Sequence, residues 1–210
     1  MRRVITLIGA GMVAASVLAG CADSGYDYVK SSSDRTYFKV PSNWTLFDEE
    51  EVVDRTMADL TDTQREQVLE QGWRVAFDAS PNPTMRHLSN ATSKAPTGLA
   101  EVKSLSFDDS DALSTYKLRN YFVDIDAAND AGAAEVLSYE ELKPEGGFRG
   151  IHVVARLLTS DGITTVDQTV LVDQATTKVY ALIVSCSDVC YDRNAKQIKQ
   201  VVDSWTVRAT

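Results

Sequence analysis

The sequence predicts an α+β fold, an α/β/α sandwich in which a central antiparallel sheet is flanked by helices. Three observations carry that reading. The second half of the chain holds four β-rich runs, at 136–142, 148–158, 163–172 and 178–185, separated only by short turn segments. Asp161-Gly162 lies between two of these runs, and Asp-Gly between alternating segments is a strong hairpin signal, so the strands pair antiparallel. Other segments carry apolar residues at helical spacing on one side only, and such helices bury that side against a sheet.

In chain order, residues 22–34 are polar, include Ser31-Ser32-Ser33, and read as a flexible spacer. The run 36–40 alternates and predicts a strand; Pro41-Ser42-Asn43 is a turn signal, and 44–47 predicts a second short strand, so that the two form a hairpin. Asp48 opens an acidic first turn suited to the positive end of a helix dipole, and Val52, Val53, Met57 and Leu60 recur at helical spacing. The pattern restarts at Thr61, which predicts two short helices or one broken there. Trp73, Val75 and Phe77 share one face of an alternating strand. The polar stretch from Pro81 to Pro96 carries three prolines and predicts a long loop, and long loops in compact domains are often functional. A strand follows at 99–107, then a helix at 112–123 with Leu113, Tyr116, Leu118 and Phe122 inward, and a small-residue loop at 127–134. After the four-strand run, Tyr191, Ala195, Ile198, Val201 and Val202 form the apolar stripe of a closing helix, with Trp205 and Val207 in a last short strand.

The N-terminus predicts an address. Arg2 and Arg3 precede an uncharged apolar run at 4–18, shorter than the ~20 residues a spanning helix needs. Leu18-Ala19-Gly20-Cys21 resembles the lipobox of bacterial lipoproteins, in which the cysteine is diacylglycerated and becomes the new N-terminus. The resemblance implies a lipoprotein signal peptide at 1–20, a lipidated Cys21 with a tether to residue 34, and a single domain at 35–210. Two or more acyl chains hold a protein stably at a bilayer, so the body is expected to be extracytoplasmic and anchored to the cell membrane.

Without residues 1–20 the chain keeps 19 Lys and Arg against 30 Asp and Glu, a net charge of −11. A field of that sign repels phosphate backbones, which argues against nucleic acid as a partner. Lipidation of Cys21 leaves Cys186 and Cys190, which an exported protein can pair. Their spacing also admits a metal site, but neither His87 nor His152 lies near them in sequence, and the redox spacing C-x-x-C is absent. A structural disulfide is expected.

The segment Phe38-Lys39-Val40-Pro41-Ser42-Asn43-Trp44 resembles the opening hairpin of PsbP/Mog1-like domains. The ending Ile198, then Val201-Val202-Asp203-Ser204-Trp205, resembles their closing helix, which finishes in Ser and an aromatic. With the lipobox, the chain resembles actinobacterial LpqN-type lipoproteins that carry this sandwich, over roughly residues 35–208. The resemblance implies an accessory or binding role without catalysis, in some members connected with envelope lipid export and envelope glycolipids.

The residues themselves supply no catalytic constellation. There is no G-x-S-x-G, no phosphate-binding glycine loop, and no cofactor motif. Ser89 lies two residues past His87, which is not a triad, and His152 reads as an outward-facing strand residue. Residues 124–135 partly imitate a calcium loop, but Ala128 and Asn129 break it at the fifth ligand and the turn glycine, leaving an acidic surface loop. The expected function is therefore a non-enzymatic, metal-free envelope module. Its partners would be the membrane through the anchor and an envelope lipid or glycolipid, with Trp73, Phe77, His87 and Leu88 as candidate contacts. A membrane transporter or assembly complex is the alternative partner.

Overall fold

A computed structural model describes residues 25–90 and 92–209. The segment expected to be a signal peptide, Cys21 and the first part of the expected tether lie outside the described residues. The described residues form ten strands and six α-helices. They run β1 (Tyr26–Ser31), β2 (Thr36–Pro41), β3 (Thr45–Phe47), α1 (Glu49–Thr56), α2 (Asp62–Glu70), β4 (Gly72–Asp78) and β5 (Thr97–Ser104). Then come α3 (Phe107–Asp111), α4 (Thr115–Arg119), α5 (Ile125–Asp130), β6 (Ala134–Leu142), β7 (Arg149–Thr159), β8 (Gly162–Val172), β9 (Lys178–Ser187), α6 (Asp188–Ser204) and β10 (Thr206–Val207).

A seven-stranded antiparallel sheet in the order β3-β4-β5-β9-β8-β7-β6 carries the fold, and a three-stranded sheet, β1-β2-β10, stands beside it. The α+β sandwich is as expected. Because side chains alternate across a strand, the large sheet has two distinct faces. One bears Phe77, Ala100, Leu182, Val184 and Cys186, and it packs with Phe38 and Val40 of β2 against Ile198 and Val201 of α6. The opposite face bears Ile151, Val153, Ala155, Val166, Val170, Val179 and Ala181, and it packs against Leu118 and Ile125 from α4 and α5. On that second face α1 covers the β3–β4 edge through Val52, which packs with Ala76 and Met85.

Local chemistry explains the helix boundaries. Asp48 and Glu51, and then Thr61 and Gln64, form reciprocal capping boxes, so the break expected near Thr61 is a fresh N-terminus. The helix expected at 112–123 is reduced to α4, with the separate short helices α3 and α5 before and after it. Ser106, Ser114 and Asp124 each accept a backbone N–H three residues on, and each such cap restarts the chain. The last of these helices occupies the first half of the stretch expected to be a small-residue loop, anchored by the buried Ile125.

Two further expectations are corrected. β2 and β3 do not form a hairpin: β2 pairs with β1 and β10, and β3 pairs with β4. The turn closed by Trp44 N–H donating to Pro41 O at 2.9 Å carries the chain from one sheet to the other. Residues 26–34 are not a spacer. β1 pairs along its full length with β2, Val29 is buried, and the Ser-rich segment is a hairpin turn. Asp34 closes that turn by accepting from Ser31 and Ser33, and it meets Lys178 Nζ at 2.6 Å. The domain therefore begins at about Tyr26, not Arg35.

The Cys186–Cys190 disulfide forms, with Cα atoms 5.9 Å apart, and joins the end of β9 to the first turn of α6.

Candidate functional site

The second face of the sheet is not fully covered. Between α1 on one side and the α4–α5 connection on the other lies a cleft of about 740 Å³, within the ~300–1,000 Å³ typical of small-molecule sites. Its floor comes from four adjacent strands: Leu99 of β5, Ile183 and Ser185 of β9, Thr164 and Val166 of β8, and Leu157 of β7. Strand pairing places them together, since Leu99 is registered with Ile183, Ser185 with Val166, and Thr164 with Leu157. Val52 and Thr56 of α1, with Met85 and Leu88, form one wall, and Phe122 and Val123 form the other. Arg55, Arg86, Ser89, Asn90, Gly98 and Thr159 complete the lining. The cleft exists because α1 and the short α4 and α5 leave the end of the sheet that carries the β7–β8 turn without a helix over it.

One buried carboxylate builds the first wall. Asp78 ends β4 and is 1% exposed. It accepts the backbone N–H groups of Ser80 and Thr84, both at 2.8 Å, and its Oδ2 lies 2.7 Å from His87 Nδ1. These bonds tie down the 80–88 segment, whose 3-10 turn, Met85–Ser89, presents Met85 and Leu88 to the cleft. Burial alone would raise the Asp78 carboxyl; the Ser80 and Thr84 amides, then His87, hold it below its ordinary value.

Of the residues expected to touch a ligand, Leu88 lines the cleft. Trp73 and Phe77 do not. They lie on the opposite face, where Phe77 is fully buried and stacks on Trp44 at 5.6 Å, so they are core. His87 is the clamp on Asp78. The sequence reading missed Val52, Leu99, Phe122, Val123, Val166 and Ile183, which come from five separate segments and share no linear pattern.

Among the described residues the titratable clusters around His87 and His152 do not place a serine and a carboxylate on either side of an imidazole. Ser80 Oγ approaches His87 at Nδ1, 3.3 Å away, the same nitrogen that meets Asp78, so serine and carboxylate do not flank the ring as a triad requires. Ser89 Oγ donates to Arg86 O. His152 is held on the α6 face: its Nε2 is 2.8 Å from Asp167 Oδ1, and Tyr191 donates to Asp167 Oδ2 at 2.7 Å. In the segment that imitates a calcium loop, Asp124 caps α5 and Asp126 pairs with Arg119 at 2.7 Å, so both carboxylates serve the fold. Among the described residues no group of three or more His, Cys, Asp or Glu side chains is placed to hold a metal ion.

The architecture is that of a PsbP/Mog1-like sandwich. The chain aligns with the solution structure of the cyanobacterial PsbP protein CyanoP from Synechocystis sp. PCC 6803 at a TM-score of 0.53 and 15% identity, over 91% of this chain and 99% of that one. It aligns with LpqN, described as involved in cell envelope biogenesis of Mycobacterium tuberculosis, at a TM-score of 0.50 and 14% identity, over 87% and 90%. The Ran-binding protein Mog1p of Saccharomyces cerevisiae aligns at a TM-score of 0.45 and 10% identity, over 88% and 96%. No family model matches the sequence, and no curated protein matches it. The chain thus has a PsbP/Mog1-like fold with similarity to LpqN.

Proposed function

We propose that this protein is a lipid-anchored, non-catalytic binding module of the bacterial cell envelope that holds the apolar chain of an envelope lipid or glycolipid in the cleft. The observation that carries the reading is the cleft itself, a largely apolar floor left open between the helices that cover this sheet face. Exposed apolar surface of this kind, rimmed by polar groups, marks binding sites. A disulfide that persists in an oxidising compartment and the similarity to LpqN support an extracytoplasmic setting. The lipobox supplies the anchor, and Cys21→Ser is expected to move the protein from the membrane to the soluble fraction.

The test is direct. Protein purified under native conditions is extracted with organic solvent and the extract is read by mass spectrometry, while the stripped protein is titrated with envelope lipids. Co-purifying lipid, and binding lost in Val166→Trp, which fills the floor, are expected. Protein that carries no lipid and binds none would remove this function.

A second reading, docking to a membrane transporter or assembly complex, has its own observation. β6 is an edge strand, paired on one side only, and Val136, Leu137 and Tyr139 along it are each about two-fifths exposed. Such an edge is a template for another chain's strand. A proline at Ser138 that abolishes reproducible crosslinks to an envelope protein in cells, without altering lipid binding, would favour this reading.

A further inference from the structure

The cleft has a charge pattern at odds with the rest of the molecule. The chain carries 30 acidic residues against 21 Lys and Arg, yet among the described residues no Asp or Glu lines the cleft, while Arg55 and Arg86 do. Arg65, Arg74, Arg119 and Arg156 each meet a carboxylate within 4.0 Å. Among the described residues, neither Arg55 nor Arg86 has an ion-pair partner, and both are solvent-exposed. Arg55 stands one helical turn beyond Val52 on α1, and Arg86 follows Met85, so each guanidinium belongs to a residue beside one that lines the apolar wall. Ser89 and Asn90 add neutral polar groups to the same lining.

From this juxtaposition we infer that the ligand is an anionic amphiphile, with its hydrocarbon chain on the Leu99–Ile183–Val166–Leu157 floor and a phosphate or carboxylate head group met by Arg55 and Arg86. The inference rests on the cleft being a lipid site. Guanidinium groups present a planar fork that matches phosphate and carboxylate oxygens, and charge-assisted bonds of this type are stronger than neutral ones. An acidic body repels anions in general, so capture of an anionic head group needs a local cationic exception, and the lining supplies one. The apolar floor then selects against anions that lack a chain.

The test uses the mature chain, residues 21–210 with Cys21→Ser, stripped of lipid and titrated calorimetrically below the micelle concentration. The probes are palmitoyl lysophosphatidylglycerol, palmitoyl lysophosphatidylcholine and glycerol phosphate. The first two share a chain and differ in net charge; the third carries the head group alone. Lysophosphatidylglycerol is expected to bind on the order of 10-fold tighter than the choline lipid, by a margin that shrinks as salt rises. Arg55→Gln with Arg86→Gln should erase the margin by weakening lysophosphatidylglycerol more than the choline lipid, whose phosphate is already offset by its own cation, and should leave the melting temperature unchanged. Glycerol phosphate should not bind. Equal affinity for the two lipids, or a margin that survives the double substitution, overturns the head-group assignment and leaves the lipid cleft standing. Tight binding of glycerol phosphate also overturns it, in favour of a soluble anion. Failure of both lipids to bind overturns the cleft reading and the inference together.

Discussion

Asp78 and His152 show how single charged residues are used on the two faces of the sheet. Asp78 is buried with four donors around it, and truncating such a group leaves those donors unpaired at ~1–3 kcal/mol. Asp78→Ala is therefore expected to lower stability by about that amount and to weaken lipid binding by loosening the wall that carries Met85 and Leu88, read by denaturant unfolding and by titration. Its pKa is depressed on folding, so its contribution is complete above the ordinary carboxylate value near 3.8 and is lost as pH falls through the lower folded value. His152 has the opposite sign. The hydrogen bond to Asp167 raises its pKa above 6.5, against the opposing effect of burial. Its contribution is complete below 6.5 and disappears as pH rises through the elevated folded value. The melting-temperature difference between wild type and His152→Gln should accordingly shrink as pH rises above 6.5. A constant difference would mean that folding does not shift the pKa of His152. The sequence placed His152 correctly on a strand but could not show its partner, because Asp167 lies on the neighbouring strand, 15 residues on.

Element by element, α6 depends on anchors at its start. Ser187 occupies the cap position without a side-chain bond to the helix, so the first turn is held instead by the disulfide and by Asp188, which meets Arg156 at 2.6 Å and accepts from Thr165 at 3.0 Å. The short loop that the disulfide closes limits its effect on the unfolded chain to on the order of 2 kcal/mol. Reduction, or Cys186→Ala with Cys190→Ala, is expected to cost about that much in denaturant unfolding without changing the fold, because the apolar stripe of α6 still packs on Phe38, Leu182 and Val184. The helix and the β6–β9 run were legible because their signals are local: a 3.6-residue stripe, a period of two, and an Asp-Gly turn. The segment 105–130 was misread for an equally local reason. The apolar residues of 112–123 fit one helix, yet Ser114 caps a new start within it, α4 stops at Arg119, and Asp124 starts the next helix just beyond it, a competition between polar side chains and backbone that the apolar spacing does not show.

At the scale of the whole molecule, what the sequence did not reveal is which strands meet and what is left open between layers. β2 and β3 flank a turn signal and look like a hairpin, but their pairing is decided by non-local partners, β1 and β10 for one and β4 for the other. The cleft is legible only after β5, β9, β8 and β7 lie side by side. The N-terminal boundary carries the same lesson and a prediction. Polar composition made residues 26–34 look like tether, yet β1 buries Val29 in the cluster around α6, and Asp34 binds Lys178. Burial of one such side chain is worth roughly 1.5–3 kcal/mol, before the strand pairing and the ion pair are counted. A chain that begins at Arg35 should thus melt about 5–10 °C below one that begins at Gly25, since 1 kcal/mol moves a protein of this size by ~2–4 °C. Scanning calorimetry of the two would decide it. Equal melting temperatures would restore β1 to the tether. A large drop would mean that the domain starts almost at the lipidation site predicted for Cys21, so that the sheet, and the cleft on it, stand close to the membrane surface.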